Sequence, residues 1–158
     1  MSKGTLYYHY KSKDELLYEL VDRDFGRLTD SIATLLAEEA QKIDLGSRRE
    51  RAKRFLALAL WAVLAEEDLS RRGFYLMMEA FLGKEQVAGR FREKYEDWRA
   101  LIADLVARHV NGGEAASPAL ASGILALIDG LTLQWLLDPE RVDVEAVAGT
   151  FAVAMVAE

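Results

Sequence analysis

A chain of 158 residues, 51% hydrophobic and 29% charged, is long enough to bury a core and has globular rather than disordered composition. It has no cysteine, which excludes disulfides, thiolate metal sites and cysteine nucleophiles and is compatible with a cytoplasmic location. The net charge of −6 argues against an even coat of nucleic-acid-binding charge, yet residues 1–13 carry Lys3, Lys11 and Lys13 without an acid, a local +3 against −9 for the remainder.

The opening stretch GTLYYHYKSKDELL (Gly4 to Leu17) therefore differs from the body. In a short helix from Ser2 to about Tyr8, Leu6 and Tyr10 share one face and Lys3 and Tyr7 another, with Gly4 beside Tyr8. The first face suits packing and the second suits a partner. Gly4 lets a backbone approach a bulky anion such as a phosphodiester. Tyrosine offers a hydroxyl to phosphate and a ring to thymine methyls. Lys13 falls at the first turn of the next helix, where amides and the helix dipole favour an anion. A packed turn before a capped helix is the alternative that these residues leave open.

That next helix starts at SKDE, where Ser12 and Glu15 have the spacing of a capping box. Leu17, Val21, Phe25, Leu28, Ile32 and Leu35 then recur at three and four residues, predicting one apolar face to about Gln41. KIDLGS breaks it, and from Ser47 a basic turn RRERAKR leads into Phe55 to Ala65, apolar on all sides and so expected in the middle of a bundle. EEDLSRRG separates this from a short helix FYLMMEAFL, with Gly83 as a stop. Phe91, Tyr95, Trp98, Ile102, Leu105 and His109 form one aromatic-rich stripe on the following helix. Asn111 and Gly112 suit a left-handed cap, and Ser117-Pro118 suits an N-cap with proline at the first helical position.

The last two predicted helices, about 118–137 and 142–157, are unusually apolar. The first carries small residues, Ala119, Gly123, Ala126 and Gly130, opposite Leu120, Ile124, Leu127 and Leu131. The second sets Val144, Val147, Phe151 and Met155 against Ala146, Gly149 and Val153. Two apolar faces need two covers, and the simplest second cover is the same helix pair of another copy, a four-helix homodimer interface. A monomer that buries both faces internally is the alternative. PALASGILALIDGLTLQWLL is long enough to span a membrane, but Asp129 near its middle would cost about 2.5–3.5 kcal/mol there, so the expectation is no membrane. With no strand signal, the fold class is all-α.

The string SKGTLYYHYKSKDELL closely resembles the end of the helix-turn-helix in TetR (tetracycline-repressor) family transcriptional regulators, whose recognition helix ends in a TLYYHF-type sequence and whose next helix opens on KSKEEL. More loosely, ALIDGLTLQWLLDPERVD is similar to the dimerisation helix and following loop of many members. The resemblance implies a recognition-helix remnant of the DNA-binding domain over 1–11 and a ligand-binding and dimerisation domain over 12–158. It implies that Lys3, Gly4, Tyr7 and Tyr8 face DNA, that His9 and Lys13 contact phosphates, and that Thr5 sits where some members touch bases. Leu6 and Tyr10 would pack inside the DNA-binding head. Two further helices precede this motif in the family, whereas only Met1 to Lys3 precede it here. The chain as written is therefore expected not to bind operator DNA specifically, whatever its full-length parent does.

The resemblance also implies a regulator, read as a repressor, that senses a small, largely hydrophobic effector. The candidate lining is Trp61, Phe74, Met78, Phe81, Tyr95, Trp98 and Trp135, with Gln134, Glu79 and His109 as candidate polar anchors. Ordinary core is the alternative for each aromatic. A helical dimerisation or ligand-sequestering protein without DNA binding is the alternative function. An enzyme is disfavoured: two distant histidines, no phosphate-cradling glycine loop and no metal-ligand spacing leave catalytic, metal and cofactor sites without candidates.

Overall fold

The computed structural model describes residues 10, 12–43, 46–83 and 85–156. They form an all-α bundle of six helices: α1 (Lys13–Ile43), α2 (Arg48–Ala65), α3 (Glu67–Phe81), α4 (Glu85–His109), α5 (Pro118–Leu137) and α6 (Val144–Val156), with a 3-10 turn, Pro139–Arg141, before α6. No strand occurs among the described residues.

Local chemistry sets most boundaries. The Glu15 amide donates to Ser12 Oγ at 3.1 Å, starting α1. At α2 a full capping box appears: Glu50 N–H donates to Ser47 Oγ, and Ser47 N–H donates to the Glu50 carboxylate at 2.7 Å. The bonds from Ser47 hold the Glu50 carboxyl below the usual carboxylate range. This box makes the basic segment the first two turns of α2, where the sequence suggested a turn. Arg48 and Arg51 then reach the far end of α4, donating to Asn111 Oδ1 and the Val110 carbonyl.

The break between α2 and α3 is shorter than EEDLSRRG implied. One residue outside helical geometry, Glu66 at φ −99° and ψ 51°, separates the two helices. Glu67 and Asp68 begin α3 in the turn where acids are favoured, so α3 starts seven residues before Phe74. Gly83 stops it at φ 101°, a conformation that costs a side-chain-bearing residue. After α4 the left-handed positions are Gly112 and Gly113, not Asn111. Asn111 instead serves through its side-chain carbonyl. Ser117 caps α5 ahead of Pro118, and Asp143 Oδ1 accepts from the Ala146 amide to start α6.

Helix α2 is central, packing on α1, α3, α4, α5 and α6. Its buried Ala52, Ala59 and Ala62 and the buried Ala148 and Ala152 of α6 keep side chains short where these helices meet. On α1 the core face turns through Leu36 rather than Leu35 at its C-terminal end, and on α6 the inward row is Val144, Ala148, Ala152 and Met155. Phe151, which the sequence placed with Val144 and Met155, is turned outward. At 100° per residue it lies about 60° from Ala148, past the edge of the buried row.

Candidate ligand-binding site

Between α1, α3, α4 and α5 lies a cavity of about 50 Å³. The stripes meet here because Phe25 on α1 and Phe91, Tyr95 and Trp98 on α4 occupy core-facing positions of two packed helices. The Phe25 ring centroid is 5.0 Å from Trp98, 5.5 Å from Phe91 in an edge-to-face pair, and 6.3 Å from Tyr95. α3 adds Ser70, Gly73, Phe74 and Met77, and α5 adds Ile128, Asp129 and Thr132.

The polar groups of this wall are few and mostly assigned. Trp98 Nε1–H donates to Thr29 Oγ1 at 2.9 Å, and Thr29 Oγ1 donates to the Phe25 carbonyl at 2.8 Å. Ser70 Oγ donates to the Val63 carbonyl. The Tyr95 hydroxyl donates to Asp129 Oδ2 at 2.8 Å and lies 3.7 Å from Met77 Sδ. Burial pushes the Asp129 carboxyl above the usual range, and the bond from Tyr95 only partly offsets this. Burial and the neighbouring carboxylate push the Tyr95 phenol upward, so it remains a donor across the physiological range. Thr132 Oγ1 is fully enclosed and has no hydrogen-bond partner. Such a hydroxyl costs stability unless something arrives to bond it.

The Asp129–Tyr95 pair also divides two spaces. A surface groove of about 480 Å³ runs beside the cavity over Ala80, Phe81, Ala88 and Arg92 and shares Met77, Phe91, Tyr95 and Asp129 with it. These four residues form a common partition.

Of the lining suggested by sequence, Phe74, Tyr95 and Trp98 face the cavity and Phe81 edges the groove. The others lie elsewhere. Trp61 is 46% exposed, on a surface trough with Lys53, Arg54 and Glu145. Met78 is 54% exposed because it lies one position round α3 from the inward Met77. Trp135 packs half-buried against the core but off the cavity. Gln134 is exposed and donates to the Gly130 carbonyl of its own helix. Glu79 accepts from Tyr75 at the surface, and His109 sits in the last turn of α4. Sequence reasoning missed Phe25, Phe91, Met77 and Thr132 and left Asp129 a structural part. The available signal was Asp129 and Thr132 three residues apart in the apolar second half of the helix.

The residues suggested for the dimer interface lie mostly on the outside of this chain. Ala119, Gly123, Ala126, Ala146 and Val153 are exposed, and Gly130 is partly so. Gly149 is half-covered, with the Lys53 stem 3.7 Å from where a Cβ would stand. Leu133, Leu137 and Phe151 extend this exposed apolar surface. Of the suggested DNA contacts, Lys3, Gly4, Thr5, Tyr7, Tyr8 and His9 lie outside the described residues, and Lys13 is exposed at the first turn of α1.

A separate polar anchor joins the cavity wall to α1. Asp24, 2% exposed, bonds Arg72 Nε of α3 at 2.9 Å and Arg23 at 3.0 Å, and Arg72 directly precedes the cavity-lining Gly73 and Phe74.

No curated protein and no solved structure matches the chain. Residues 48–157, from the first turn of α2 through α6, match the family model described as the C-terminal domain of BetI-type transcriptional repressors. The chain belongs to the TetR family of transcriptional regulators and carries a C-terminal domain of the BetI type.

Proposed function

We propose that this chain is the dimerising, effector-sensing part of a cytoplasmic TetR-type repressor, and that its effector binds in the aromatic cavity between α1, α3, α4 and α5. The observation that carries this reading is a cavity that the family's C-terminal domain forms together with α1, lined by Phe25, Phe74, Phe91 and Trp98, with an unbonded hydroxyl and a part-buried carboxylate in its wall. Binding sites combine an apolar body with a few placed polar groups in this way. At about 50 Å³ the cavity is far below the roughly 300–1,000 Å³ of ligand pockets, so binding requires that it open. An opening transmits to α1 through the Trp98–Thr29 bond and the Arg72–Asp24 pair. α1 leads back to the Gly4–Lys13 string, whose resemblance supports a DNA-reading role for the regulator.

The small-residue face of α5, continued by Leu133 and Leu137, supports a homodimer in which this face meets its own copy. Thermal-shift screening with small hydrophobic compounds tests the sensing role. Gly73 lines the cavity and a Cβ there would meet nothing within 4 Å, so Gly73→Leu, once shown by circular dichroism to be folded, is the variant that adds bulk at the cavity wall. Compounds should stabilise the wild type, by about 2.7 kcal/mol at a hundred times Kd, and leave Gly73→Leu unmoved. Equal stabilisation of both proteins, or none by any compound in a broad library, would refute the reading.

A further inference from the structure

Two carboxylates reach into the bundle, Asp24 fully buried and Asp129 partly buried in the cavity wall, and they are partnered differently. Asp24 receives two guanidinium groups, from Arg23 and Arg72. Asp129 receives a phenol, and among the described residues no cation pairs with it. Buried charges are ordinarily compensated by an opposite charge. Three residues along the same helix, Thr132, 3% exposed, turns an unbonded hydroxyl into the same cavity. Residues at that spacing share a helix face, with Cβ atoms about 5–6 Å apart, so one small donor group can reach both oxygens. Opposite them, Phe25, Phe91, Tyr95 and Trp98 bring four rings together, three of them with centroids 5.0–6.3 Å from Phe25. Aromatic faces attract cations within about 6 Å of the ring centroid.

We propose that the ligand of this cavity is a primary or secondary amine with an apolar tail, bound as its ammonium ion, whose N–H groups donate to Asp129 and Thr132. The proposal rests on the cavity being the effector site. The ammonium supplies the missing cation, and its N–H bonds satisfy the orphaned Thr132 oxygen, which a quaternary ammonium cannot do. It also opens the site. When Asp129 accepts from the ligand it releases the Tyr95 hydroxyl, and Tyr95 is part of the partition from the 480 Å³ groove. With that ring free to turn, cavity and groove join into a space that holds the tail.

The test is calorimetric titration of the intact chain with n-hexylamine, hexan-1-ol, hexanoate and hexyltrimethylammonium, repeated with Asp129→Asn and Tyr95→Phe. We expect n-hexylamine to bind most tightly to the wild type. Asp129→Asn should weaken n-hexylamine about tenfold or more and leave hexan-1-ol unchanged, as loss of a charge-assisted bond requires. Tyr95→Phe, which removes the competing phenol, should tighten n-hexylamine. The inference is overturned if the alcohol, the carboxylate or the quaternary ammonium matches the amine, or if folded Asp129→Asn keeps wild-type amine affinity. If none of the four binds while other compounds stabilise wild type but not Gly73→Leu, the ammonium inference fails and the effector site stands. If no compound of any class binds, both fail.

Discussion

Thr132→Val changes one atom group at the least satisfied point of the wall. Both side chains are β-branched and nearly isosteric, so helix propensity and packing stay almost constant. What changes is a hydroxyl that is enclosed and unbonded in this structure. Leaving a buried polar group unsatisfied costs about 1–3 kcal/mol. Valine removes that cost, and a stabilisation of about 1–2 kcal/mol is expected. For a domain of this size that raises Tm by about 2–8 °C. The assay is urea and thermal unfolding of both proteins at one fixed protein concentration, since dimerisation would make Tm concentration-dependent. The urea midpoint should rise with an unchanged m-value. A fall in Tm would mean that the hydroxyl is bonded in solution, and the case for an orphaned acceptor in the cavity would collapse.

Three other perturbations probe the carboxyl in the cavity wall, the outer face of α5 and the Asp24 ion pairs. Because burial raises the Asp129 pKa, its contribution to stability is fully present below the ordinary value of about 3.8 and is lost as pH rises through the folded value. Asp129→Asn keeps an acceptor for Tyr95 without that loss, so its Tm should exceed the wild type's increasingly as pH rises from 4 to 7; a pH-independent difference contradicts the burial argument. Ala126→Glu puts a charge in the middle of the exposed small-residue face of α5, and sedimentation should show a 17.7 kDa monomer in place of a dimer; a variant that remains dimeric places the interface elsewhere. Arg72→Ala strips one of two cations from the buried Asp24 carboxylate. Breaking a buried pair costs about 3–5 kcal/mol, and because Arg72 is half-exposed and Arg23 remains, about 1–2 kcal/mol is expected, read from the urea midpoint.

The helices were legible because their apolar residues recur at three and four and their caps use side chains that bond the backbone locally. Ser117 and Gly83 act as read from the sequence, and Ser12 accepts from the Glu15 amide, one half of the box read there. The Ser47–Glu50 box has the same spacing, but the arginines around it give no apolar periodicity to mark a helix start. The α2–α3 junction was obscured because a single residue, Glu66, makes the break, and hydrophobic patterning cannot resolve an interruption that short. The site was half legible. Phe74, Tyr95 and Trp98 stand out as large apolar residues on inward faces, but Met77 and Met78 are equivalent in composition and differ only in their angle around α3. Trp61 belongs to a helix that reads as apolar all round, and only packing reveals that this position looks outward. Phe25 and Phe91 come together through the crossing of α1 and α4, a tertiary fact that neither stripe carries alone. Asp129 was visible as an anomaly, but that its partner would be a phenol rather than a cation depends on which residue of α4 faces it.

In the proposed complex the effector lodges between the aromatic rings and the polar pair of α5. A crystal structure of the chain soaked with a compound that stabilises it tests this most directly. The expected result is ligand density against Phe25 and Trp98, a polar ligand atom within hydrogen-bonding distance of Asp129 and Thr132, and the Tyr95 hydroxyl moved off Asp129. A ligand bound on another surface, with the 2.8 Å Tyr95–Asp129 bond intact, would contradict it.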